Sequence, residues 1–356
     1  MAGKIAFIYN WVPTVERKGV YSECTTRRTV IAVEEALFLG GYKTMSVNLQ
    51  SRQQLEQRFR QERPDFAFVI AEGFLDSPAT LYDGSGAALV RKTLAEMGIP
   101  SSHSSAEAME LCRHKEMTYQ VLSRAGVSIP WYRSLPTPAL ARVFAGANVK
   151  YPLFVKPAGG GNSVGIDANS VVRTSGELAQ RMEVLYDLLG PISLVVEEYL
   201  PGREFTVGVI GNGKPVVLPP VAFAHDLVRS TEVKKAESRN EIALEIIPPQ
   251  DPQYLRLRDL AIKTYASLGC ADVVRIDIKA TASGNLYVID VNGTPSLGRA
   301  GSLARMTAAV NMDYVGFINL LLYYGLNRSG LAAELSEQVA AADEKLTILR
   351  KQGYVA

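Results

Sequence analysis

Val273-Val-Arg-Ile-Asp-Ile-Lys279, Ala280-Thr-Ala-Ser-Gly-Asn285 and Leu286-Tyr-Val-Ile-Asp-Val-Asn-Gly293 follow one another without a break. The first and last are alternating, β-branched runs, and Ser283-Gly284 between them is a turn signal, so the stretch reads as a β-hairpin. A turn centred on Ser283-Gly284 sets Asp277 opposite Asp290 and Arg275 opposite Asn292. Side chains alternate along a strand, so these four polar residues share one face. Val274, Ile276, Ile289 and Val291 then occupy the other, the core face. Like charges directly opposed destabilise a sheet, and two carboxylates about 4 Å apart repel by roughly 4 kcal/mol at an effective dielectric near 20. A cation removes that penalty. Oxygen ligands from Asp277, Asp290 and Asn292 suit Mg²⁺, with phosphates completing its shell. The plainer alternative is an exposed face on which Arg275 alone neutralises the acids.

Upstream, Tyr151-Pro-Leu-Phe-Val-Lys156-Pro157 leads into Ala-Gly-Gly-Gly-Asn-Ser-Val-Gly165. A strand ending in lysine and followed by glycines can fold over a phosphate chain, with backbone N–H groups of residues such as Gly161 and Ser163 turned inward. The order is not that of a P-loop, where lysine follows the glycines, and no helix with apolar spacing starts inside the segment as a dinucleotide fingerprint requires. Alone, the loop would pass for an ordinary flexible turn. Lys115, in a helix after His114, is a second cation able to reach phosphate. Val195-Val-Glu-Glu-Tyr-Leu-Pro-Gly-Arg-Glu204 interleaves apolar and acidic groups in a way that suits an adenine slot and an acceptor for ribose hydroxyls. Glu197, Glu198 and Glu204 taken singly are equally readable as surface charge.

Around these motifs the chain alternates strands and helices. Ile5–Tyr9, Lys43–Leu49 and Phe66–Ile70 read as strands. Helices are expected over Arg28–Leu39, stopping at Gly40-Gly41, and over Gly86–Met97, stopping at Gly98. That alternation predicts an α/β class with an N-terminal parallel, Rossmann-like sheet over residues 1–103. A central unit, 104–200, has a helix over Ala106–Ala125, strand Leu153–Lys156, a helix near Glu177–Leu188 and strand Leu194–Glu198. A third unit, 201–330, holds the hairpin and a helix near Tyr254–Leu268. Residues 331–356 read as a surface helix without chemistry.

The chain has 356 residues, with 38 Lys plus Arg against 36 Asp plus Glu, so no basic stripe marks a nucleic-acid binder and any phosphate handling must be local. Cys24, Cys112 and Cys270 are far apart in sequence and odd in number; they offer no disulfide framework and no metal-ligand spacing, which suits a reducing, cytoplasmic setting. The N-terminal apolar run is too short for a signal peptide and Val315–Leu322 is too short for a membrane span.

The order of these motifs resembles the ATP-grasp superfamily, and within it the D-alanine–D-alanine ligase branch, over residues 4 to 326. The resemblance rests on Pro152-Leu-Phe-Val-Lys-Pro with Asn162-Ser-Val-Gly, on Val196-Glu-Glu-Tyr-Leu-Pro-Gly-Arg-Glu-Phe-Thr-Val, and on Arg275-Ile-Asp-Ile with Ile289-Asp-Val-Asn-Gly-Thr-Pro. It implies an ATP-grasp fold in which two α+β subdomains clasp ATP. It implies a ligase that joins a carboxylate to an amine through an acyl-phosphate, with Mg²⁺ (Mn²⁺ being able to substitute), small amino-acid-like substrates and a homodimer. Lys115, Lys156 and one of Lys234 and Lys235 would hold ATP. Glu197 and Leu200 would line the adenine pocket, and Glu204 would accept the ribose hydroxyls. Asp277, Asp290 and Asn292 would hold Mg²⁺, with Arg275 on the transferred phosphate.

The departures from that family fall on the amino-acid side. The N-terminal acid, Glu16 in Val15-Glu16-Arg17, is one step out of register. Asn162 stands at the place of a loop serine, and Ala236 rather than tyrosine follows Lys234-Lys235. Glu72-Gly73 replaces His-Gly, and Ser296 ends the Asn292-Gly-Thr-Pro-Ser296 signature, offering its N–H to the transition-state oxyanion. Glu16, Glu72, Asn162, Arg299 and Ser302 are the candidate substrate contacts, and the changes point away from D-alanyl-D-alanine as the product. Ring closure within one substrate, and an ATP-binding module without turnover, are the competing readings.

Overall fold

The computed structural model describes residues 3–161, 163–223, 228, 230, 232–233, 236, 244–248, 250–331 and 336–351. Three sheets organise them, and each follows from a different residue pattern.

The first sheet is parallel, in the order β2-β1-β3, with β1 at Ile5–Tyr9, β2 at Thr44–Asn48 and β3 at Phe66–Val69. Every residue of β1 and β3 is buried, the run of apolar residues that a strand covered on both faces requires. The helix Arg27–Leu39 starts where the Thr26 hydroxyl accepts the Thr29 N–H, and it ends at Gly40-Gly41, where Gly41 takes φ +82. The expected helix over Gly86–Met97 is found at Gly86–Glu96.

The second sheet is antiparallel, β4 (Tyr132–Leu135), β5 (Leu153–Pro157), β6 (Val171–Val172) and β7 (Leu194–Glu198), in the order β4-β7-β5-β6. Leu178, Met182 and Leu185 of the helix Ser175–Leu189 pack on Leu153, Val155 and Val196. Two features depart from expectation. β4 and the helix Pro138–Ala145 went unread, being short and half-exposed. The helix expected over Ala106–Ala125 is two helices, Ala106–Arg113 and Lys115–Arg124, broken at His114 (φ −110, ψ 102). Neither Gly nor Pro marks the break; the Lys115 N–H leaves the helix ladder to donate to the Ala158 carbonyl at 3.0 Å, a tertiary bond no local pattern announces.

The third sheet runs β11-β10-β8-β12-β13, with β8 at Glu204–Ile210, β9 at Val216–Val217 paired to β8, β10 at Val221–Phe223, β11 at Leu244–Ile246, β12 at Val273–Ala280 and β13 at Leu286–Asn292. Val207, Val209, Val274, Ile276 and Ile278 are fully buried, in one core with Leu257 and Ala261 of the helix Pro252–Ser267 and Phe317 and Leu321 of the helix Tyr314–Arg328. Burying each such side chain contributes about 1.5–3 kcal/mol, so one face of this sheet is anchored and its other face is held in register for chemistry. The C-terminal helix, Glu337–Lys351, is less superficial than its composition suggests: Val339, Ala342, Leu346 and Leu349 are buried in that same core. Cys112 and Cys270, far apart in sequence, bring their Sγ atoms to 3.7 Å as free thiols.

Candidate active site

The hairpin pairs as the alternation predicts, Arg275 with Asn292 and Asp277 with Asp290, but by a different route. The turn spans three residues rather than two: Thr281 N–H donates to Asn285 O, and Gly284 at φ +81 supplies the left-handed position. That moves the turn centre by half a residue. A β-bulge between Asp277 and Ile278 on one side and Val288 and Asp290 on the other restores the register, so Ile289 is the extra residue. Ile289 therefore leaves the core face expected of it, where Val288 takes its place, and instead lines the cavity described below.

On the polar face Arg275 donates to Asp277 Oδ2 at 3.0 Å, and Thr206, opposite on β8, donates its hydroxyl to Asp277 Oδ1 at 2.7 Å. Asp290 meets Lys115 Nζ at 3.5 Å, and the same ammonium donates to Gly160 O at 3.2 Å. Lys156, at the end of β5, is almost wholly buried. Its three N–H groups reach Glu197 Oε1 (2.9 Å), Ile289 O (2.9 Å) and the Tyr119 hydroxyl (3.2 Å). The Tyr119 hydroxyl lies 2.8 Å from Glu197 Oε2 and 2.9 Å from Ile289 O. The bulge thus turns one backbone carbonyl into the acceptor that ties the second sheet to the third.

The glycine-rich loop packs on the N-terminal unit. A Cβ at Gly159 would lie 2.1 Å from Asp83 O, and one at Gly160 (φ +74) 2.5 Å from Tyr82 O, so neither position admits a side chain. Glu23 Oε1 accepts the Gly161 N–H at 2.7 Å. Between loop, β5, β7 and the hairpin lies a cavity open to solvent. Its walls include Lys115, Lys156, Gly161, Ser163, Glu197, Glu198, Leu200, Glu204, Asp277 and Asp290. Arg275 and Asn292, buried on the same strands, are not among its lining residues.

Burial pushes the Asp290 carboxyl up, but Lys115, Lys156 and Arg275 outweigh it, and the net effect is a carboxylate below its ordinary range. Burial lowers Lys115, against the pull of Asp290. Burial also opposes the charge on Arg275, yet Asp277 and Asp290 raise it overall. Asp277, Asp290 and Asn292 offer two carboxylates and one amide oxygen, the latter also accepting the Thr294 N–H at 2.9 Å, and among the described residues no three acids, histidines or cysteines group as a metal site. That set fits a Mg²⁺ that keeps waters and phosphates as its other ligands.

The model for the D-ala D-ala ligase C-terminus matches residues 135–323, more than half the chain. The chain belongs to the D-alanine–D-alanine ligase family. A D-alanine–D-alanine ligase from Pelotomaculum thermopropionicum is 26% identical over 85% of this chain and 93% of its own. The crystal structure of the Bacillus anthracis D-alanine–D-alanine ligase complexed with ATP superposes with TM-score 0.67 at 21% identity, over 92% of this chain and 99% of that one. The VanG D-Ala:D-Ser ligase of Enterococcus faecalis does so with TM-score 0.67 at 18% identity, over 91% and 100%. These likenesses establish the ATP-grasp fold, and the ligase family is one of ATP-dependent carboxylate–amine ligases.

Away from this cavity the ligase-family chain is less regular. Glu72 is buried, with Oε2 3.4 Å from an Arg113 nitrogen, and the same guanidinium lies 3.8 Å from Glu23 Oε2. Burial, with Glu23 adding to it against Arg113, pushes the Glu72 carboxyl up to about 7. Glu16 is exposed, and the N-terminal acid that meets the glycine loop is Glu23. Arg299 is about half exposed and stacks 4.3 Å over the Tyr314 ring, beside Glu35. Ser296 is exposed, its hydroxyl accepting from Gly298 N–H at 3.5 Å. Ser302 opens a short helix. Asn162, Lys234 and Lys235 lie outside the described residues. Sequence reasoning missed Tyr119, Lys279, Glu23 and Arg113. Tyr119 follows Lys115 by four on one helix face, and Lys279 follows Asp277 by two on one strand face, so both were within reach of periodicity. Glu23 and Arg113 carried no such signal.

Proposed function

We propose that the chain is a Mg-ATP-dependent ligase that activates one amino-acid-like carboxylate as an acyl-phosphate and passes it to an amine, releasing ADP and phosphate. The observation that supports it most is the meeting, in one cavity, of the opposed Asp277 and Asp290 with Lys115, Lys156 and the glycine-rich loop. In this reading Lys115 and Lys156 hold the phosphates, Lys156 exchanging one of its three protein acceptors for a phosphate oxygen, with Gly161 and Ser163 closing over them. Glu197, Glu198 and Leu200 border the base, and Glu204 accepts ribose hydroxyls. Asp277, Asp290 and Asn292 would hold Mg²⁺, which supplies neutralising charge on the phosphates when bound.

The chemistry needs little covalent help from the protein. A substrate carboxylate oxygen attacks the γ-phosphorus as the bond to ADP breaks. The amine then attacks the acyl carbon, loses a proton and expels phosphate. Arg275, fixed by Asp277, carries positive charge beside the transferred group. Excluding water under the glycine loop protects the acyl-phosphate. Glu72-Gly73 in place of His-Gly, Asn162 in place of serine and Ala236 in place of tyrosine support substrates other than two D-alanines. The homodimer and the cytoplasmic setting implied by the resemblance belong to this reading; among the described residues no helix is long and apolar enough to cross a membrane.

Phosphate release from Mg-ATP across paired amino acids and small carboxylic acids, with mass spectrometry of positive wells, tests the proposal. A product lighter than the two substrates' sum by one water is expected. Release with a single acid would favour ring closure, and ATP binding without release on any pair would favour a non-catalytic module.

A further inference from the structure

We infer that Lys279 binds the nucleotide and, with Glu204, forms a donor–acceptor clamp on the ribose hydroxyls that selects ribonucleotides over deoxynucleotides. The inference rests on the nucleotide reading above and assigns a residue to it that no motif in the chain marks.

Arg275, Asp277 and Lys279 project from one face of β12, and Lys279 stands about 7 Å along the strand from Asp277 at the usual rise per residue. The sheet register sets it directly opposite Glu204 on β8, as it sets Asp277 opposite Thr206. Lys279 Nζ and Glu204 Oε2 are 3.3 Å apart, and both residues line the cavity. A surface cross-strand pair of this kind would contribute little, but this one is turned inward, with 19% and 14% of the two side chains exposed. The phosphate end of the cavity already has Lys115 and Lys156. Lys279 and Glu204 set one donor and one acceptor side by side on the cavity wall.

A hydroxyl donates one O–H and accepts through its lone pairs. Glu204 can only accept and the Lys279 ammonium can only donate, so together they match both capacities of a sugar hydroxyl. A deoxynucleotide leaves both groups of the pair without that partner after displacing their water.

The test is calorimetric binding of Mg-ADP, 2′-deoxy-ADP and 3′-deoxy-ADP to the wild-type chain and to Lys279→Met and Lys279→Arg. Methionine keeps the unbranched stem and removes the donor; arginine keeps a donor. The wild type should bind ADP about tenfold more tightly than at least one deoxy analogue, the scale of a hydrogen bond to a charged group. Lys279→Met should shrink that ratio to about twofold, and Lys279→Arg should restore much of it. If Lys279→Met weakens all three ligands by one factor, or changes none, the clamp is overturned while the nucleotide site stands. If the wild type binds no ADP, the nucleotide reading falls and the clamp with it.

Discussion

The hairpin face around Asp277 and Asp290 and the buried cluster around Glu72 contain the same kinds of residue and reach opposite electrostatic states. On the hairpin each carboxylate meets a cation, Asp277 the Arg275 two residues before it on the same strand and Asp290 the Lys115 of a separate helix, and Asp290 stays ionised despite its burial. Around Arg113 two carboxylates share one guanidinium at 3.4 and 3.8 Å, and burial wins at Glu72. Cations pull on both acids, and the balance between that pull and burial decides which of them keeps its charge. The first region is therefore suited to a metal and phosphates, and the second to a change of protonation or to a substrate that completes its charge.

The sharpest way to break this contrast is Asp290→Ala. Turnover should fall by about 10³-fold while the melting transition stays cooperative, since the core face of the hairpin is untouched. A variant retaining more than a tenth of wild-type turnover would remove Asp290 from the chemistry.

Next in size is Arg113→Met, which leaves Glu23 and Glu72 buried without their shared cation. Breaking a buried pair in this way costs about 3–5 kcal/mol, read by denaturant unfolding at pH 8. The loss should shrink at pH 5, where Glu72 is protonated. An equal loss at both values would deny the coupling.

Glu72→Gln sharpens the same comparison. The folded carboxyl titrates at about 7, against an ordinary value of 4.5. Between those values the folded wild type binds more protons than the unfolded chain, so its stability falls as pH rises from about 4.5 to 7 and levels off above. Relative to Glu72→Gln, the wild type should lose roughly 2–3 kcal/mol between pH 5 and pH 8. Parallel stability curves for the two proteins would contradict the raised Glu72.

The smallest effects belong to the exposed candidates. Arg299→Ala removes a cation stacked on Tyr314, worth about 0.5–1 kcal/mol of stability at an exposed site, and Glu16→Ala removes a solvated charge. Turnover within about twofold of wild type is expected for both, because neither lines the cavity. A tenfold loss in either would move the substrate site toward the N-terminal loop.

The same contrast explains what was legible. Strand alternation carried Arg275, Asp277, Asp290 and Asn292 to one face from sequence alone, because two residues per repeat leave no choice of side once a core face exists. Even the pairing survived a misplaced turn centre, since the bulge at Ile289 compensated for it. The ends of the helices at Gly40-Gly41 and Gly98 were readable for a similarly local reason. Glu23, Arg113 and the break at His114 were not, because loops from different units meet there and the bonds that fix them, such as Gly161 N–H to Glu23, span more than a hundred residues. Arg299, a candidate substrate contact in the sequence, stacks instead on Tyr314 of a later helix, a contact no local pattern announces.

The most direct test of the central claim follows oxygen. A carboxylate substrate labelled with ¹⁸O in both oxygens is turned over with Mg-ATP and its amine partner, and the released phosphate is weighed. If an acyl-phosphate forms in this cavity, the phosphate carries one ¹⁸O and the amide keeps the other. Unlabelled phosphate accompanying amide formation would contradict the acyl-phosphate route and the roles given to Arg275, Asp277 and Asp290 with it.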